Sequence, residues 1–272
     1  MKINRRDFLK TTALTSLYFA GFGSPTFATD GPKKNLVVIM LRGGMDGLCA
    51  IPVKGDKNFE KLRSKINLDK TLQLTSDFDL HPALKTFKRL WDQNLGAAVH
   101  ATNIPYTGRS HFDGQNLMES GGKIPYQVKT GWLGRGMKIA GLTGEGLALA
   151  LPMPLLIRGV SMNNNYFPVG DKLPSKTTLG LIQQAYKDFD EKLLSETLKI
   201  VMTRDLKNSG SDENWSLASN AGEQLSKPNG PRVAVFEVDG FDTHAAQGAT
   251  NGAHADCLSD YDRIISGLKQ AM

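Results

Sequence analysis

The sequence predicts an α/β fold built on a mostly parallel sheet with helices on both faces. Residues 36–41 and 232–238 are almost wholly apolar, which is typical of strands that are buried on both sides. Between these runs lie segments whose apolar residues recur at helical spacing. Strands that alternate with helices along a chain favour a parallel sheet, because helices then connect successive strands across its faces.

Weaker patterns complete the predicted fold. Further strands are predicted at residues 95–100 and at 147–151 with 155–157. The helical patterns cover residues 82–94, 111–120, 178–207 and 256–272. Residues 208–231 are polar and rich in Ser, Asn and Gly, so they are predicted to form a loop or a mobile insert. The last helical pattern reaches Met272 without a stop signal, which predicts a fold that is incomplete at its C-terminus.

Residues 1–28 are predicted to be a twin-arginine signal peptide. They contain a basic start, a short apolar run and a cleavage site of small residues, in that order. Arg5 and Arg6, with Phe-Leu-Lys close behind, match the pattern that the twin-arginine translocase reads. An amphipathic first helix is the alternative, but Ser, Thr and Gly dilute its apolar face. We therefore expect a periplasmic or extracellular protein whose α/β domain spans residues 29–272.

Composition limits the classes of function. The net charge of +6 includes four basic residues and one acidic residue of the signal segment, so +3 remains on residues 29–272. The remaining charges are interspersed without a basic run, and nucleic-acid binding is not expected. No apolar run approaches the roughly 20 residues of a membrane span. In an oxidising compartment Cys49 and Cys257 could form a disulfide or remain two unpaired thiols, and the sequence leaves both possibilities open.

The first candidate motif, Leu-Arg-Gly-Gly-Met-Asp-Gly, follows the first predicted strand at residues 41–47. Ligands of open α/β sheets bind beyond the carboxyl ends of the strands. Glycines there permit a tight turn and close backbone approach. Asp46 could then ligate a metal ion, and Arg42 could bind an anion. The alternative is a glycine-rich turn in which Asp46 caps the next helix.

The second candidate motif is Gly-Arg-Ser-His-Phe-Asp at residues 108–113. Ser110 precedes a predicted helix and Asp113 lies three residues later, which is typical of a helix cap. A serine at a helix N-terminus also lies where free N–H groups stabilise an anion, so Ser110 could attack a phosphate or sulfate ester. His111 beside it could be a ligand, a base or an ordinary surface residue.

The third candidate motif, Asp-Gly-Phe-Asp-Thr-His, follows the strong late strand at residues 239–244. In an extended loop, Asp242 and His244 point to the same side because they are two residues apart. A carboxylate and an imidazole on one side form half of a site for zinc or a similar ion. The alternative is a capping aspartate beside an unrelated histidine.

The other histidines are weaker candidates. His81 and His100 are expected to be structural, and His254 lies in a polar segment and is expected to be exposed. The sequence has no Gly-x-Ser-x-Gly elbow, no zinc-finger spacing and no dinucleotide fingerprint.

Taken as a set, these motifs behind a twin-arginine signal resemble an exported bacterial family, the "domain of unknown function 1501". The matching segments are residues 41–48, 80–84, 109–115, 131–135 and 240–247. That family is similar to the alkaline phosphatase and sulfatase superfamily, so the resemblance implies an alkaline phosphatase-like α/β fold. It also implies two divalent ions, with Asp46, Asp242 and His244 among the ligands and Ser110 as nucleophile.

The chain departs from the family at its end. Family members continue with further segments that would supply the remaining metal ligands, so the resemblance implies an incomplete metal site. The expected function is a metal-dependent phosphate or sulfate ester hydrolase, inactive if truncated. One alternative is a non-catalytic exported protein that binds a co-exported companion in periplasmic or surface assembly. The other is a fragment without independent function, recognisable by an apolar patch where missing strands should pack.

Overall fold

The computed structural model describes residues 34–66, 68–150, 152–160, 163–165, 176–185, 198 and 213–272. The predicted signal peptide lies outside the described residues, as does most of the predicted helix beyond residue 185. Residues Asn35–Met272 make one compact unit.

The described strands and helices alternate along the chain. The strands are β1 (Leu36–Leu41), β2 (Leu72–Gln73), β3 (Asp79–Leu80), β4 (Gly146–Leu149), β5 (Asn164–Asn165) and β6 (Val233–Val238). The helices are α1 (Gly47–Ala50), α2 (Lys57–Leu62), α3 (Lys85–Asp92), α4 (His111–Ser120), α5 (Trp132–Ile139), α6 (Lys176–Ala185), α7 (Glu213–Ser226) and α8 (Ala253–Ala271). Two 3-10 turns cover Ser64–Ile66 and Leu155–Ile157.

The central sheet has the strand order β1-β6-β4-β5, and every neighbouring pair in it is parallel. β1 and β6 pair over their whole length, with Leu36 opposite Val233 and Leu41 opposite Val238. Both strands therefore end at the same level. The prediction of an α/β fold on a parallel sheet is confirmed. A separate antiparallel pair, β2 with β3, lies beside it.

Apolar clusters cover both faces of the sheet, because successive strand residues point to opposite sides. On one face Phe236 and its neighbours pack against α3, α7 and α8; on the other Val235 packs with α5 and the 3-10 turn Leu155–Ile157. Each fully buried side chain of this size contributes about 1.5–3 kcal/mol to folding. The helices thus lie on both faces, as the sequence predicts.

Three predicted elements are wrong. Residues 155–157 form a 3-10 turn instead of a strand, since the turn begins after Pro154, which has no backbone N–H to donate to a sheet. Residues 95–100 form no strand, and Leu95 and Val99 are exposed, so their apolar character does not report burial in a sheet. Part of the predicted loop at 208–231 is helix α7, which packs on α8. A stripe of buried residues four apart, Leu217, Ala221 and Leu225, forms its inner face. The sequence does not predict this helix, because part of its inner face is made of alanines, which add little to an apolar pattern.

Two glycines, at the start of α5 and within it, let this helix pack closely against the backbone of residues 155–158. A Cβ at Gly131 would lie 1.9 Å from the Leu156 carbonyl oxygen, and one at Gly134 would lie 2.2 Å from that of Arg158. Arg135 then donates hydrogen bonds to the carbonyls of Ser120, at the end of α4, and of Thr130. These contacts fix α4 relative to the sheet.

Both cysteines are free thiols; Cys49 is buried and Cys257 is half-buried. Among the described residues, no helix is long and apolar enough to cross a membrane.

Candidate metal centre

The turn after β1 and the loop after β6 leave the sheet side by side. The backbone N–H of Arg42 donates to the carbonyl of Val238 at 2.8 Å, and the N–H of Phe241 donates to the carbonyl of Arg42 at 3.1 Å. This pairing extends the sheet register beyond the strand ends. The first and third candidate motifs therefore meet at the carboxyl edge of the sheet, where α/β proteins bind ligands.

Two glycines bring the three motifs together. Gly43 has a φ of 105°, and a Cβ there would lie 2.3 Å from the backbone nitrogen of Asp242. Gly44 has a φ of 84°, and a Cβ there would lie 2.7 Å from Cε1 of His111. Any side chain at either position would be strained and would push its neighbour away. The Gly-Gly pair is thus required for the approach of α4 and the late loop.

His111, Asp242 and His244 form a compact cluster at this edge. The Oδ1 atom of Asp242 lies 3.2 Å from Nε2 of His111 and 2.7 Å from Nε2 of His244. One ligand atom from each residue lies within 4.8 Å of the others. The side chains are 40%, 40% and 77% exposed for His111, Asp242 and His244, so solvent reaches the cluster.

The donor set fits a divalent ion of the zinc type. Two imidazole nitrogens and one carboxylate oxygen are preferred zinc ligands, and three protein ligands with an open fourth position are typical of catalytic zinc sites. Ligands about 2.1 Å from a tetrahedral ion lie about 3.4 Å apart. The separation of 3.2 Å between His111 and Asp242 is close to that value, whereas the 2.7 Å between His244 and Asp242 is a hydrogen-bond distance that would lengthen when an ion binds. The sequence pointed to Asp242 and His244 as a half-site, and the structure adds His111 to them.

Asp46 is placed elsewhere, as a helix cap. Its carboxylate accepts hydrogen bonds from the Cys49 backbone N–H at 3.2 Å and from the Gln247 amide at 2.8 Å, and it forms an ion pair with Arg63. Burial raises the pKa of Asp46, but hydrogen bonds from Gln247 and Arg63 and the charge of Arg63 outweigh it and lower the pKa overall. The capping alternative describes this residue. Its bond to Gln247 also ties down the loop that carries His244.

Arg42 is engaged by side chains of two elements. Its guanidinium donates to Gln115 at 3.0 Å and to Glu119 at 2.8 Å, both on α4, and it also pairs with Glu237 on β6. Two carboxylates already match its charge. Arg42 therefore links the helix that carries His111 to the strand before Asp242, rather than presenting a cation to an anionic ligand.

Ser110 caps α4, as its spacing from Asp113 predicts. Its Oγ accepts the Asp113 backbone N–H at 3.2 Å, while its own hydroxyl proton remains available to donate. Ser110 lies in the wall of a cavity of about 470 Å³. His111, the first residue of α4, borders this cavity and also a second one of about 480 Å³ that contains Asp242 and Arg42.

The remaining histidines lie outside the cluster. His81 is buried, accepts the Ala83 backbone N–H at Nδ1 and contacts the Ala249 carbonyl at 3.0 Å, so its role is structural. His100 contacts the Ile51 carbonyl at 3.0 Å. The expectation of an exposed His254 is wrong, because it is 1% exposed and lies on the buried face of α8. The residues that sequence reasoning missed are the partners Arg63, Gln247, Glu119 and Glu237, which no local spacing reveals.

Fold and site together define an α/β protein with a His–Asp–His cluster at the carboxyl edge of its parallel sheet. Comparisons of the chain with protein-family models, with curated proteins and with solved structures find no match.

Proposed function

We propose that this protein is an exported, metal-dependent hydrolase of phosphate or sulfate esters. The cluster of His111, Asp242 and His244 carries the proposal, because ligand atoms from two distant segments, the start of α4 and the loop after β6, meet at the edge where α/β proteins bind ligands. The sequence resemblance to the domain of unknown function 1501, and through it to alkaline phosphatases and sulfatases, supports the same class. The twin-arginine pattern supports the export part of the proposal, since that route carries folded proteins out of the cytoplasm.

The three clustered residues are proposed to hold one divalent ion, zinc or similar. Such an ion would neutralise charge on the ester and lower the pKa of a bound water. Ser110 is proposed as the nucleophile. Its Oγ forms a bond to phosphorus or sulfur while the ester P–O or S–O bond breaks, and the Oγ proton ends on the departing alcohol. Water then hydrolyses the seryl ester and restores the hydroxyl.

Two further residues are proposed to hold the ligands in position. Arg42 holds α4 against β6 and so keeps His111 beside Asp242. Asp46 holds Gln247 and therefore the loop of His244. Both residues are proposed as positioning residues, in place of the anion-binding and metal-binding roles that the sequence suggested.

Metal analysis of the purified protein tests the proposal. We expect about one zinc ion per chain, lost in Asp242→Asn and in His244→Gln, with loss of p-nitrophenyl phosphate or sulfate hydrolysis in both variants. His100→Gln is the control, because His100 lies outside the cluster and contacts a backbone carbonyl. A parent protein without bound ion, or variants that retain it, would contradict the proposal. Ion binding without hydrolysis and with a co-purified companion would favour the partner-binding alternative.

Export is tested separately. Replacing Arg5 and Arg6 with lysine is expected to retain the protein in the cytoplasm, because the translocase reads the arginine pair. N-terminal sequencing of the exported parent should begin at Thr29. Export of the double-lysine variant at the parental level would contradict the signal assignment, and a single exchange of Lys2 for arginine is the matched control.

A further inference from the structure

An apolar cavity of about 470 Å³ lies beside the cluster, between β1 and α4. Ile39 and Leu41 of β1 contribute to its wall with Met45 of the following turn, and Ile104, Tyr106 and Met118 complete the apolar lining. Its volume lies within the roughly 300–1,000 Å³ that is usual for small-molecule sites. Met118 is 46% exposed at the rim, so the cavity opens to solvent.

The cavity also has polar residues, and these are neighbours in the chain. Arg109, Ser110 and His111 contribute to its wall at the start of α4. Arg109 is exposed, and no described residue forms an ion pair or hydrogen bond with it. Among the described residues, the other polar side chains of the lining belong to Tyr106 and Gln115, which form hydrogen bonds with Asp113 and Arg42. A ligand in this cavity therefore meets an apolar wall and a cation that no described residue pairs.

His111 connects this cavity to the cluster. It borders the apolar cavity and the second cavity, which contains Asp242. A molecule with an anionic group beside His111 and Ser110 can therefore reach the cluster while its organic group fills the apolar space. The charge of Arg109, which no residue in the described ranges neutralises, is complementary to such an anionic group.

We infer that this cavity receives the organic group of the substrate, and that this group is apolar and much larger than a methyl group. The substrate class is then phosphate or sulfate esters of bulky apolar alcohols, for which naphthyl compounds serve as probes, in preference to esters of small or sugar-like alcohols. This inference rests on the proposed hydrolase function for the reaction, but binding of an aromatic anion can be measured without any reaction.

Gly114 offers a way to fill the cavity. It lies within α4 on the cavity wall, and a Cβ there would lie 3.6 Å from Cδ1 of Tyr106 and 3.7 Å from Cδ1 of Ile104, which is ordinary contact. A leucine at this position can extend into the free space without a backbone clash. Gly136 in α5 is the matched control, since it is exposed and a Cβ there meets nothing within 4 Å.

The experiment measures binding of unreactive probes by titration calorimetry. We expect 2-naphthalenesulfonate to bind with a Kd at least tenfold lower than methanesulfonate. Gly114→Leu should raise the naphthalenesulfonate Kd at least tenfold, whereas Gly136→Leu should change it less than twofold. Arg109→Gln should weaken 2-naphthalenesulfonate but not uncharged 2-naphthol. Thermal unfolding checks each variant, and Met118→Trp at the exposed rim replaces Gly114→Leu if the latter does not fold.

Equal affinity for the two sulfonates, or no effect of filling the cavity, would overturn the inference. Equal binding of 2-naphthol and 2-naphthalenesulfonate would also overturn it, in favour of a site for an apolar peptide side chain. Failure of the proposed function is distinguishable: the chain would then bind 2-naphthalenesulfonate in this cavity but no zinc. Conversely, zinc-dependent hydrolysis with equal kcat/KM for methyl and naphthyl phosphate would keep the function and reject the preference for a bulky apolar group.

Discussion

Replacing Gly44 with alanine is expected to separate His111 from the cluster. A Cβ at this position would lie 2.7 Å from Cε1 and 2.8 Å from Nδ1 of His111, whereas ordinary contact begins at 3.4 Å. The ring must therefore retreat by about 0.6–0.7 Å. Since Nε2 of His111 lies 3.2 Å from Asp242, and metal–ligand distances tolerate only about 0.2 Å, the retreat removes one of three ligands.

The expected result has two measurable parts. Zinc affinity, measured by competition with a chelator, should fall at least about tenfold. The free energy of unfolding should fall by about 1–2 kcal/mol, because φ at this position is 84° and alanine is strained there. Gly55→Ala separates the two effects, since Gly55 has a φ of 70° and open space around its Cβ position.

Gly55→Ala should therefore lose stability by a similar amount and keep the parental zinc affinity. If Gly44→Ala binds zinc as tightly as Gly55→Ala does, His111 is not a ligand and the reasoning from contact distances fails.

Two further predictions concern stability. Arg42→Gln leaves Glu119 and Glu237 close together without their cation, so urea unfolding should show a loss of about 3 kcal/mol; a loss below about 0.5 kcal/mol would refute the linking role. Burial lowers the pKa of His81 and of His254, so the unfolded chain binds protons at a higher pH than the folded chain does. Between about pH 7 and pH 8 stability should be constant, and below about pH 6.5 it should fall by up to about 1.4 kcal/mol per pH unit for each histidine. His254→Phe should halve the slope of the unfolding free energy against pH. It should cost no stability at pH 7.5, because neither nitrogen of His254 has a partner among the described residues. An unchanged slope would contradict a contribution of His254 to this pH dependence.

Short-range patterns determined the framework of this protein. The apolar runs of β1 and β6 indicated strands inside a parallel sheet, and the sheet register confirms their pairing. Ser110 was recognised as the first residue before a helix because a cap acts over three residues. Helix α7 was missed, since its inner face is made of alanine and two leucines among polar residues, and only packing on α8 reveals it.

The composition of the site was decided by long-range contacts. The sequence predicts Asp46 as a metal ligand, whereas it leaves His111 open as a ligand, a base or a surface residue. In the fold, Arg63 and Gln247 form hydrogen bonds with the carboxylate of Asp46. Gly44, which has no side chain, leaves room for the ring of His111 beside Asp242. The sequence by itself placed the first and third motifs directly after strands of a parallel sheet, but only the fold brings the helix start with Ser110 and His111 to the same edge. Which side chains face one another there depends on atoms up to 201 residues apart in the chain, and only tertiary packing fixes those distances.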